Sequence, residues 1–210
     1  MYRSSVARTR RTLSGFTLIE VVVVVAIVAL LSAILTPIVA QKINDSRISK
    51  AQNETAVIAA AIADFYKDVA AFPAMDSSGQ LNKVKNLLSG PSVPTTSPFT
   101  GGNGGWFSTS PKDTMDNHLV KNTPQGSTSN IYSTSGSERW KGPYMEQVPL
   151  DPWARPYVCN IRAVYDTSSS KYRKCLVMSA GPDGVFQTDD DALFDTKVLG
   201  DDIGFLVHLR

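Results

Sequence analysis

Residues 16–40 read FTLIEVVVVVAIVALLSAILTPIVA, 25 positions with one charged side chain, Glu20. As a helix rising ~1.5 Å per residue, the stretch spans roughly 37 Å, enough to cross a hydrocarbon core of ~30 Å. A segment this apolar has no place on a soluble surface, so it decides the fold class. Arg3, Arg8, Arg10 and Arg11 precede it, with no acid among the first fifteen residues. By the positive-inside rule these arginines mark the cytoplasmic side, so the rest of the chain lies beyond the inner membrane. An ordinary secretory signal peptide fits less well, because the run is too long and no A-x-A-like break follows it. The 210 residues carry 21 basic and 19 acidic side chains, a net charge of +2. Without the leader the balance is 17 to 19, so bulk charge gives no reason to expect a nucleic-acid partner. With 42% hydrophobic and 19% charged residues, the composition is that of a folded protein.

Glu20 is the residue that distinguishes one anchor from another. A charge deep in a bilayer costs a few kcal/mol and marks a functional pairing, unless it sits near enough to a helix end to reach the headgroups. If the chain were cut after Gly15, Phe16 would carry a free α-amine, the natural positive partner for the Glu20 carboxylate. That pair can form between neighbouring subunits shifted along the helix axis.

The order Ser14-Gly15-Phe16-Thr17-Leu18-Ile19-Glu20, after an Arg-rich leader and before a Val/Ala/Leu block, resembles the class III signal of type IV pilins and type II secretion pseudopilins. The resemblance implies cleavage between Gly15 and Phe16 by a prepilin peptidase and N-methylation of Phe16, which keeps the positive charge. It also implies assembly into a helical filament, with Glu20 meeting the Phe16 amine of another subunit. Pro37 removes one backbone hydrogen bond from the apolar helix. In the family a proline here accompanies local melting of the helix in the fibre.

Ala51, Thr55, Ile58, Ile62, Phe65, Val69 and Phe72 recur at alternating steps of four and three. Such a seam is one face of an amphipathic helix that packs on a globular domain, and Pro73 should end it. Four segments follow: a leader (1–15), a transmembrane and assembly helix (16–40), an amphipathic helix (41–72) and a periplasmic domain (73–210).

Residues 81–88 (LNKVKNLL) suit a short helix. Residues 89–139 hold 34 Gly, Pro, Ser, Thr or Asn among 51 positions, so they read as a long polar surface loop in which Trp106 and Phe107 pin the chain to the body. The Gly-Gly-Asn-Gly-Gly run at 101–105 lacks the Gly-Lys-Ser/Thr of a phosphate loop. His118 and His208 are too isolated for metal or triad spacing. With no nucleophile–base constellation, a membrane-tethered enzyme finds no support in the residues.

Trp140-Lys141-Gly142-Pro143-Tyr144, then Val148-Pro149-Leu150-Asp151-Pro152-Trp153, form a turn-rich segment whose rings should cover a core. The pattern, continued by Ala154-Arg155-Pro156-Tyr157, resembles the W-x-G-P-Y and D-P-W-x-x-P-Y signature of the major, or G-class, pseudopilins. Ala154 stands where the family usually has glycine. Residues 157–165 and 171–179 are β-prone and flank a Ser/Thr/Asp turn, a hairpin signal. Folding symmetrically about Thr167 sets Cys159 opposite Cys175. In an oxidising periplasm the pair would form a cross-strand disulfide, the alternative being two free thiols.

Seven aspartates fall between Asp183 and Asp202. Around Asp183-Gly184 and the Asp189-Asp190-Asp191 run, hard oxygen ligands crowd a turn. The types suit calcium, though a solvated turn fits them too. The stretch also resembles the calcium loop of G-class pseudopilins. That resemblance implies a calcium ion held by Asp183 together with carboxylates from Asp189, Asp190 and Asp191, with Asp201 and Asp202 as bystanders.

The expectation is therefore an α+β, pilin-like fold in which a long N-terminal helix packs on a small antiparallel sheet with a C-terminal acidic loop. The function implied is that of a non-enzymatic, filament-forming pseudopilin of a type II secretion system. Its partners would be copies of itself, minor pseudopilins, the inner-membrane assembly platform, the prepilin peptidase and the membrane. The alternatives are a surface type IV pilin for adhesion or motility, and a permanently anchored calcium-binding periplasmic module.

Overall fold

The computed structural model describes residues 15–102, 105–162, 164–165, 173–190 and 198–208. It divides into two units, Met1–Ile43 and Asn44–Arg210. The helix α1 (Leu18–Val69) contributes to both.

In the first unit every described residue is exposed, including the valines, leucines and isoleucines of the apolar run. Five successive valines, Val21 to Val25, are intrinsically poor helix formers. They are helical nonetheless, in a helix long and apolar enough to cross a membrane, where a backbone must satisfy its polar groups internally. Pro37 lies inside α1. One position before it, the Thr36 hydroxyl donates to the Ser32 carbonyl at 2.7 Å.

In the second unit α1 presents the face its periodicity predicts. Ala51, Thr55, Ile58, Ile62 and Phe65 are buried, and Val69 is half-buried. The helix stops at Val69 rather than at Phe72. Ala70 turns left-handed (φ 55°), and its N–H closes on the Tyr66 carbonyl at 2.8 Å. Phe72 is buried beyond that end.

Residues 81–88 do not form the short helix expected. Their last three become the strand β1 (Asn86–Leu88). Leu87 and Leu88 are both fully buried, which suits a central strand covered on its two faces rather than one side of a helix. Residues 89–139, read above as a polar loop, are more ordered than their composition suggests. They hold β2 (Gly101–Gly102), α2 (Gly105–Ser108), β3 (Lys112–Thr114), α3 (Met115–Leu119) and a 3-10 turn at Pro124–Gly126. After them come β4 (Val158–Asn160), β5 (Lys174–Ser179), β6 (Val185–Phe186) and β7 (Ile203–His208).

The five-stranded sheet has the order β3-β1-β4-β5-β7. Its pairs are antiparallel except β1–β3, and β2 pairs with β6 in parallel apart from it. The sheet is thus mixed rather than purely antiparallel. Register places Leu87, Cys159 and Val177 side by side, with Cys175 beside Val207. These residues share one core with Ile58, Ile62 and Phe65 of α1. Leu88, Val158 and Met178 fall on the opposite face and share a second core with Trp106 and Phe186. The middle segment therefore covers the sheet face that the helix leaves open.

Candidate functional site

Gly15 and Phe16 are both exposed, Phe16 at 89%, which leaves the peptide bond between them open to a protease. The residues ahead of them, 1–14, lie outside the described residues. Thr17 and Glu20 form a reciprocal cap at the start of α1. The Glu20 carboxylate accepts from the Thr17 N–H at 2.8 Å and from its hydroxyl at 2.7 Å, while the Glu20 N–H donates to Thr17 Oγ1 at 3.3 Å. This is the capping-box arrangement of a threonine followed three positions later by glutamate. The spacing of Thr17 and Glu20 carries this cap in the sequence, besides the pairing with an amine that the charge of Glu20 suggests. In the single chain the carboxylate is satisfied locally by Thr17.

The aromatic signature clamps the end of α1 to α3. Trp140 Nε1 donates to the His118 carbonyl at 2.9 Å, and Lys141 Nζ reaches Asp68 Oδ1 at 2.6 Å. The Tyr144 hydroxyl donates to the other Asp68 oxygen at 3.3 Å, and its ring meets Phe65 edge-on at 5.5 Å. Lys141 chiefly holds the Asp68 carboxyl below the usual aspartate range. Gly142 is required by space: a Cβ there would sit 2.5 Å from the Trp140 ring.

Sequence reasoning missed a buried polar network beside this clamp. His118 is fully buried, with Nε2 2.9 Å from Asp113 Oδ2 and Nδ1 2.8 Å from the Tyr132 hydroxyl. The Met75 N–H donates to that same hydroxyl at 3.1 Å. Asp113 also accepts from Thr114 N, Asn117 Nδ2 and Gln125 N. Burial raises the Asp113 carboxyl, but His118 and these donors outweigh it, so the group ends below the ordinary value. Burial pushes the Tyr132 hydroxyl up. Nothing in the spacing of Asp113, His118 and Tyr132 announces the network, because the fold rather than the chain brings Met75 to it.

The two cysteines are buried and free. The register pairs Cys159 with Val177 and Cys175 with Val207. The β4–β5 pairing centres on residue 168 rather than 167, so each partner moves by two positions and the directly opposed Cys159–Cys175 pair does not form. The thiols remain neighbours: hydrogen bonding to Cys159, then burial, pushes the Cys175 thiol well above its usual value. The turn between the strands, residues 166–172, lies outside the described residues.

Among the described residues, Asp183, Asp189 and Asp190 do not gather at one site, whereas the Asp201 carboxylate accepts from the Asp183 N–H at 3.3 Å. Asp183 is exposed and accepts from Val185 N and Gln187 Nε2, both at 2.8 Å. Asp189 is exposed, whereas Asp190 is buried beside Asn160 and lies 3.3 Å from Arg162 Nη2. Asp191 lies outside the described residues. Asp202, read as a bystander, is the most embedded of the group. One of its oxygens caps the backbone N–H groups of Gln187 and Thr188, and the other is buried without a hydrogen-bond partner among the described residues. Burial raises its carboxyl to about 6. Calcium takes 6–8 oxygens at 2.3–2.6 Å. Among the described residues no three His, Cys, Asp or Glu side chains gather to hold a metal. One orphan oxygen on Asp202 is not such a shell by itself, and residues 191–197 of the loop lie outside the described residues.

Two family profiles match the chain. One, the prokaryotic N-terminal methylation motif, covers residues 10–36, and the other, type II secretion system (T2SS) protein G, covers residues 114–195. The type II secretion system core protein G of Pseudomonas aeruginosa is 26% identical over 152 residues, covering 70% of this chain and 73% of that protein. No solved structure matches. The methylation motif thus lies on the capped start of the apolar helix, and the protein G region takes in α3, the Trp140–Tyr144 clamp, β4, β5 and the acidic loop. The chain is thus similar at both ends to the pseudopilins, with homology to the type II secretion system protein G family over residues 114–195.

Proposed function

We propose that this chain is the polymerising structural subunit of a type II secretion pseudopilus. A prepilin peptidase processes it, and it performs no bond chemistry of its own. The observation that carries this reading is the sequence of parts along one helix: a methylation motif, an apolar run with every side chain exposed, and a protein G domain built on the helix's second half. Burying a Val, Leu or Ile side chain is worth roughly 1.5–3 kcal/mol. A run this long is therefore held either by lipid or by the same run of neighbouring copies.

In this reading the leader arginines face the cytoplasm and residues 44–210 the periplasm. Cleavage after Gly15 frees the Phe16 amine, which is then methylated. On assembly the Glu20 carboxylate exchanges its local Thr17 bonds for the Phe16 amine of an adjacent subunit. A wrong stagger leaves a buried charge unpaired, and that penalty sets the register. Minor pseudopilins and an inner-membrane assembly platform supply the starting point and the driving force. Growth of the fibre supports export of folded proteins across the outer membrane.

The test is an in-frame deletion in the native host. Loss of exoprotein release, restored by the intact gene, supports the reading. Intact release with loss of surface motility or adhesion instead assigns the chain to a surface pilus.

A further inference from the structure

A groove of about 350 Å³ opens between the second half of α1 and the segment that follows the Trp140–Tyr144 clamp. Glu54 and Val57 line it from the helix, and Met145, Glu146 and Pro149 line it from the segment. Three apolar groups and two carboxylates suit a cation carried on an aliphatic stem, which is the build of a lysine side chain. Glu54 accepts from the Tyr157 hydroxyl at 2.7 Å and lies 3.7 Å from Lys50. Glu146 is exposed and has no hydrogen-bond or ion-pair partner among the described residues. Val57, beside it, is 56% exposed.

The complement lies at the other end of the domain. Lys83-Val84-Lys85 leads into β1, and Val84 is buried while both lysines are exposed, so the two cations point outward together. Neither lysine side chain has a hydrogen-bond or ion-pair partner among the described residues. Leu81, two positions before them, is also exposed. The Lys83 N–H bonds the Ala74 carbonyl at 2.8 Å, past the C-terminal end of α1. Tyr157, the partner of Glu54, lies past the opposite end of β1, where its carbonyl accepts from the Ser89 N–H at 2.9 Å. The helix itself runs ~22 Å from Glu54 to its last residue, Val69. The lysines of one chain are therefore out of reach of that chain's own groove.

We propose that the Glu54–Glu146 groove docks the Lys83–Lys85 ridge of a second copy of this chain, shifted along the helix axis. Acid with Val57, Met145 and Pro149 on one side meets two cations with Leu81 on the other. Because groove and ridge are different surfaces at opposite ends of the domain, the contact is heterologous and repeats from copy to copy rather than closing on a pair. The charges fix which ends meet and in which orientation. This proposal rests on the filament reading and adds to it a contact between the domains built on the second half of α1.

The test is the yield of filaments sheared from cells that carry the full chain with a working peptidase and assembly apparatus. Glu146→Lys, and the pair Lys83→Glu with Lys85→Glu, should each lower the yield about tenfold, because like charges then face each other across an interface. All three changes in one chain should restore most of it. Unchanged yield from either reversal would overturn the proposal. So would a loss that the combined chain does not restore, which would assign the groove to a different protein. If a reversed chain does not fold, Glu146→Cys with Lys85→Cys decides: oxidised filaments should give a ladder of linked subunits that neither change alone gives, and no ladder would overturn the contact. A wild type that yields no filaments at all would instead refute the filament reading, and the contact would fall with it.

Discussion

Ala154 occupies a left-handed backbone position, φ 64°, inside the Asp151–Arg155 turn. A Cβ in that region costs roughly 1–2 kcal/mol, partly offset by the lower chain entropy of alanine when unfolded. Ala154→Gly is therefore expected to stabilise the protein by about 0.5–1 kcal/mol, read as a rise in denaturation midpoint. An unchanged or lowered midpoint would contradict the strain. The departure from the glycine usual in pseudopilins was visible in the sequence, but its cost was legible only once the turn was placed. The same limit applies at Thr17, whose spacing to Glu20 is plain in the sequence while the cap it forms is legible only in the folded helix start.

Asp113 gives a pH prediction. Its folded carboxyl lies below the ordinary value of about 3.9. Its contribution is therefore complete above that value and is lost as pH falls through the lowered folded value. Asp113→Asn should lower stability at pH 7 by roughly 1–3 kcal/mol, because it weakens a buried acceptor that several donors share. It should also flatten the fall in stability below pH 4. Denaturation at pH 7 and pH 3.5 checks both, and an acid limb identical to wild type would show that the Asp113 network is not its source.

At the scale of elements, the buried face of α1 was readable because an apolar residue every three or four positions can only be one side of a helix. The end of the helix was less readable, since Ala70 rather than Pro73 terminates it. The middle segment was misread for a physical reason. Its Gly, Pro and Ser content describes the exposed positions, while a few large rings do the packing. Trp106 is fully buried, stacks on Phe186 at 5.5 Å, and donates its indole N–H to the Thr188 carbonyl at 2.7 Å. Trp106→Ala should cost about 3–5 kcal/mol, like other large-to-small changes in a core. A loss under about 1 kcal/mol would return the segment to the status of a loop. Strand register was the least legible feature. A one-residue shift in the centre of the β4–β5 pairing puts Cys175 two positions away from the residue opposite Cys159, although the thiols stay neighbours.

At the scale of the molecule, the N-terminal motif carried the most information, because leader, glycine, phenylalanine, glutamate and apolar run occur together only for one kind of processing and assembly. The acidic loop carried the least: seven aspartates lie close in sequence, and those among the described residues are spread among backbone donors, Arg162 and the exposed surface. Glu20→Ala separates the two roles of that carboxylate. The variant loses a cap worth about 0.5–2 kcal/mol to the helix start, which the apolar run tolerates. Membrane insertion and leader cleavage are expected to persist while filament yield collapses. Wild-type filament yield from this variant would remove Glu20 from assembly.

The central claim is that a cut after Gly15 turns a membrane-held chain into a polymer subunit. Intact-mass analysis of filaments sheared from cells with a working prepilin peptidase tests it most directly. The account predicts a subunit that begins at Phe16 and carries one added methyl group. A subunit that still begins at Met1, or a cleaved chain never recovered in filaments when the assembly apparatus is present, would contradict it.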